Sequence, residues 1–122
     1  MIIFKVILMR KSGNEIVDLS FQFALDIIEY AEALENKKKF IISNQLLKSG
    51  TSIGANVNEA QSAESRVDFI HKLKISAKEA EETDYWLSLC QCAEGYPDTI
   101  ELQSKLVSIK KLLSKIISSS KR

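Results

Sequence analysis

Residues 98–119 read DTIELQSKLVSIKKLLSKIISS, and their apolar positions decide the fold. Leu102, Leu106, Ile109, Leu113 and Ile116 recur at 4-3-4-3 spacing. That is the seam of a helix in a left-handed bundle. Leu112 and Ile117 widen the seam, and Asp98 is a good N-cap. Working back along the chain, Asn14 to Asn36 carries Leu19, Phe23, Ile27, Ala31 and Leu34 on one helical face. Phe21, Leu25 and Ile28 broaden that face, which predicts contacts on two sides.

The segment from about Phe40 to Ala63 opens with bulky residues and then turns small, at Ser49-Gly50-Thr51-Ser52-Ile53-Gly54-Ala55-Asn56. Each glycine costs a helix about 1 kcal/mol relative to alanine. Gly50 and Gly54 lie one turn apart on one face, so close backbone approach is the expected return. From about Ser65 to Gly95 a third helix is expected. Ser65 is its N-cap, Leu73 and Ala80 mark its inner face, and Gly95-Tyr96-Pro97 is its stop. Ile75, Glu79, Glu82 and Trp86 form a second stripe on it, which either core packing or an oligomer interface explains.

Four helices with short connectors predict an all-α, antiparallel up-down four-helix bundle. The bundle is expected over 14–119, with an N-terminal arm or extension over 1–13 and a polar tail over 120–122. The apolar run from Met1 to Met9 is too short to span a membrane, which takes about 20 residues. It also lacks the leader and cleavage pattern of a signal peptide. It reads either as a strand or arm packing on a neighbour, or as an extension upstream of Met9.

The 122-residue chain has a net charge of +1, four glycines and one proline. This composition argues against a turn-rich β fold and against disorder. Bulk charge gives no case for an obligate nucleic-acid or membrane binder. Cys90 and Cys92 are two apart on a helix and cannot bridge each other there. They read as reduced thiols of a cytoplasmic protein.

Chemistry-bearing patterns are sparse. Ser49 to Gly54 lacks the lysine and the preceding strand of a phosphate loop. Asp68 and His71 share a helix face, but His71 is the only histidine. A carboxylate-bridged di-metal bundle needs two histidine pairs. A nucleophilic serine would also depend on His71 as its base. No catalytic residue, metal site or cofactor is therefore expected. The stretch 98–122 has six basic and two acidic residues, a difference of +4. Its lysines Lys105, Lys110, Lys111 and Lys115 are either a solvated face or a phosphate-contacting stripe.

The run from Ser49 through Gln61, together with Ala63-Glu64-Ser65, Asp68-Phe69-Ile70-His71-Lys72-Leu73, Ala77 to Thr83 and Tyr85-Trp86-Leu87, resembles a known family. It is similar to the four-helix-bundle proteins encoded in 23S ribosomal RNA intervening sequences of bacteria, over about Ile16 to Ile117. The resemblance implies a homopentamer and no established enzyme activity. A related protein, the accessory variability determinant of diversity-generating retroelements, binds nucleic acid and a reverse transcriptase through a basic surface. This chain differs from it in being near-neutral.

On this reading Gly50, Gly54, Ala55, Asn56, Glu59 and Trp86 form an oligomer or packing motif. The expected function is a non-enzymatic, cytoplasmic oligomeric scaffold or adaptor that contacts RNA or other nucleic acid. The alternative is a protein-interaction module with no nucleic-acid role. A metal-dependent enzyme using Asp68 and His71 ranks last.

Overall fold

The computed structural model describes residues 12–121. The expected N-terminal arm lies mostly outside the described residues. Four helices account for the fold: α1 (Glu15–Asn36), α2 (Phe40–Ala60), α3 (Arg66–Cys92) and α4 (Ile100–Ser120). There is no strand among the described residues. Each helix packs on the next and α4 returns to α1, which closes an up-down four-helix bundle. The α1–α2 and α2–α3 seams are the most extensive, and the α1–α4 seam is the thinnest.

Local signals explain most of the boundaries. The Asn14 side chain caps α1 by accepting from the Val17 N–H. Ser65 caps α3 by accepting from the Asp68 N–H at 3.0 Å. Gly95 takes a φ of +82°, which a glycine adopts without a Cβ penalty, and the chain turns toward α4 there. Lys39 sits over the Tyr96 ring, 4.6 Å from its centroid, and joins the α1–α2 connector to this turn.

The start of α4 differs from expectation. Thr99 occupies the N-cap position, and Asp98 accepts from the Ile100 N–H at 3.3 Å from one residue further out. Thr99 is buried, and its N–H donates to Gln91 Oε1 at 2.7 Å. Its hydroxyl lies 3.1 Å from the Leu87 carbonyl and 2.9 Å from Gln103 Oε1. These tertiary partners, absent from any local pattern, set the first turn.

The core takes Phe23, Ile27 and Leu34 from α1, and Leu46, Ile53 and Val57 from α2. Leu73 and Leu87 of α3 and Leu106, Ile109 and Leu113 of α4 complete it. Leu19, expected on the inner face of α1, is 37% exposed. Buried hydroxyls join neighbouring helices. Ser43 donates to the Ala31 carbonyl and Ser76 to the Ile53 carbonyl, both at 2.8 Å. The Thr83 hydroxyl donates to the Glu79 carbonyl at 2.7 Å and shares a hydrogen bond with Ser49 at 3.0 Å. Small hydroxyl residues thus allow close helix approach, and each of these hydroxyls is hydrogen-bonded.

Candidate interaction surfaces

The small-residue motif of α2 faces inward, toward α1 of the same chain. A Cβ on Gly50 would lie 2.8 Å from two carbons of Ile27, and a Cβ on Gly54 would lie 3.2 Å from the Ser20 carbonyl oxygen. Both glycines are therefore spent on the α1–α2 seam. The polar members of the motif lie elsewhere. Half-buried Asn56 donates to the Ser52 carbonyl at 2.8 Å, within its own helix. Ala55 is exposed, and Glu59 is exposed and pairs with Lys72 at 3.3 Å.

Trp86 is half-buried against the core and meets Tyr85 edge-on at 5.3 Å. Its Nε1 is buried without an acceptor among the described residues. Ile75 and Glu79, on the same stripe of α3, are also half-buried. Desolvation pushes the Glu79 carboxyl above its ordinary range, and neighbouring Glu82 adds to this, against Lys48 and Lys78.

The four lysines of α4 divide into two pairs. Lys105 and Lys110 are about 140° apart on the helix and flank the buried row of Leu106, Ile109 and Leu113. Lys105 reaches α1 and pairs with Asp26 at 2.7 Å. That bond holds its ammonium above the usual lysine range. Lys110 reaches α3 and pairs with Glu81 at 3.0 Å and Asp84 at 3.3 Å, and the Glu81 bond leads the same upward shift. Lys111 and Lys115 point away from the core and are exposed. Flanking of core positions was the signal in the sequence that separates the two pairs.

Asp68 is half-buried and His71 exposed. Among the described residues no group of three or more histidine, cysteine, aspartate or glutamate side chains is placed to hold a metal ion. Cys90 is buried and Cys92 exposed, both as free thiols. Burial raises the Cys90 thiol, and it also raises the phenol of Tyr30, which donates to the Pro97 carbonyl at 2.7 Å.

The broad apolar face expected on α1 is real, and its outer part is exposed among the described residues. Phe21 is 47% and Ile28 39% exposed, with half-buried Leu25 between them. Their 4-3 spacing forms a second seam, turned away from the core. Helical geometry places half-buried Leu47 and Thr51 of α2 along the same outer face.

The profile of the 23S rRNA-intervening sequence protein family matches residues 12–115. The chain belongs to that family. A solved relative of this intervening-sequence protein is a protein of unknown function from the S23 ribosomal protein family of Bacteroides thetaiotaomicron. The two share 45% identity at a TM-score of 0.80, and the match covers 84% of this chain and 97% of the other. Comparison with curated proteins gave no match. Among the described residues no helix of the intervening-sequence protein is long and apolar enough to cross a membrane.

Proposed function

We propose that this intervening-sequence protein is a non-catalytic, homo-oligomeric scaffold, a pentamer, that acts as an RNA-contacting adaptor in the cytoplasm. The outer seam of α1 carries the reading. Phe21, Leu25 and Ile28 repeat at bundle spacing on a face that the described helices leave open at Phe21 and Ile28. An apolar helix stripe of that kind is what a partner helix covers. The two free thiols fit a reducing compartment. A protein-interaction module without RNA contact is the second reading. Its support is that two of the four α4 lysines are already tied to carboxylates of the same chain.

The test is sedimentation of the Leu25→Glu/Ile28→Glu double variant beside the unaltered chain. The expected outcome is a multiple of the 13.7 kDa chain mass for the unaltered chain and a monomer of unchanged helicity for the variant. A variant that assembles like the unaltered chain would show that this face is not the contact.

A further inference from the structure

Charge is distributed unevenly among the helices. Between residues 15 and 36, α1 carries Glu15, Asp18, Asp26, Glu29, Glu32 and Glu35, with no lysine or arginine. The opposite corner differs. In α3 the acids Glu79, Glu81, Glu82 and Asp84 follow one another in the second half, while Lys74 and Lys78 are exposed in the first half. The second half of α4 runs alongside that first half. Lys121 and Lys74 line one surface depression, together with Val67, Ile70 and His71.

The outward row of α4 carries Val107 near its middle and lysines and hydroxyls beyond it. Ser108, Lys111, Ser114, Lys115 and Ser118 are all exposed, and Glu101 is the only acid of the helix. Among the described residues none of Lys74, Lys78, Lys111, Lys115 and Lys121 makes an ion pair within 4 Å, although the Lys78 charge is felt by the Glu79 carboxyl. Five ammonium groups without an ion-pair partner among the described residues, with serine hydroxyls among them and the nearby Glu81 held by Lys110, make a surface for a chain of phosphates. No aromatic side chain is exposed on this half of the face, so bases have nothing to stack on.

We propose that the half of the α3–α4 face where α3 begins and α4 ends binds a nucleic-acid phosphate backbone without regard to base sequence. The proposal rests on the adaptor reading and changes its residues. Lys74, Lys78 and Lys121 join Lys111 and Lys115, while Lys105 and Lys110 act inside the bundle. The acidic α1 corner lies diagonally across the bundle from α3 and adjoins α4, where Lys105 neutralises Asp26, so the field of the molecule favours a polyanion most on the α3 side of this face.

The test is fluorescence anisotropy with a labelled double-stranded RNA of random sequence, at low and physiological salt. Sedimentation of the same samples reads assembly separately. Binding should weaken steeply with salt. Lys74→Glu/Lys78→Glu should lower affinity at low salt by about tenfold or more, as should Lys111→Glu/Lys115→Glu, each removing about two phosphate contacts from the salt slope. Lys37→Glu, at the other end of the bundle, should bind like the unaltered chain. Unchanged binding by the Lys74/Lys78 variant overturns the two-helix surface. An assembled protein that binds no RNA at low salt overturns the inference and leaves the scaffold standing. Salt-sensitive binding to phosphatidylserine vesicles with none to RNA overturns it as well.

Discussion

At Gly50 two opposing effects meet. Replacing a mid-helix glycine by alanine gains about 1 kcal/mol of helix propensity. The added methyl, however, falls 2.8 Å from the branched carbons of Ile27, which is itself fully buried and hemmed in by core neighbours. Overpacking of that kind costs about 1–3 kcal/mol, so the clash wins. Gly50→Ala is expected to lower the thermal midpoint, and differential scanning calorimetry checks it; a rise would mean that Ile27 has room to move. Gly54 faces backbone, the Ser20 carbonyl, which cannot rotate away as a side chain can. A bulky residue there breaks the α1–α2 seam before it can report on assembly. The sequence shows that the two glycines serve a close approach, because two helix-breaking costs one turn apart need a return. Which helix approaches is a tertiary fact that spacing does not carry. Asp98 shows the same limit: the local capping pattern is good, but buried Thr99, held by Gln91 and Gln103, sets the turn.

Among the elements, α4 and α1 were the most legible, since each buries a heptad-like row that its spacing announces. The outer part of the α1 stripe was legible as an excess of apolar width, and among the described residues no helix covers Phe21 or Ile28 fully. α3 was the least legible. Its second stripe mixes Ile75 and Trp86 with Glu79 and Glu82, and burial of a carboxyl cannot be read from spacing. Glu79 gives this element a pH dependence. Its carboxyl is raised in the folded state relative to the unfolded chain, so the folded state holds the proton more tightly. Stability is therefore greater below the usual glutamate range and falls as pH rises through the raised value. Glu79→Gln should raise the thermal midpoint at neutral pH and leave it nearly unchanged in acid. An equal gain at both pH values would show that charge at Glu79 is not the cause.

For the whole molecule, the bundle combines three faces with different chemistry: an acidic α1 corner, an open apolar seam beside it and a lysine-serine face on α3 and α4. The net charge of +1 hides this arrangement because the two signs cancel in the sum. Counting charge by segment exposed the basic end of the chain, yet only the bundle brings Lys74 beside Lys121 and sends Lys105 to Asp26. Family membership was legible from the Ser49–Gln61 run and its continuation, in which Gly50 and Gly54 close the α1–α2 seam. On the scaffold account the open apolar face is covered on assembly, which a single chain does not display. Native mass spectrometry of the unaltered chain tests the scaffold account most directly. The account predicts a single assembled species of five 13.7 kDa chains. A species at the mass of one chain would contradict it and leave the α1 seam to a different partner.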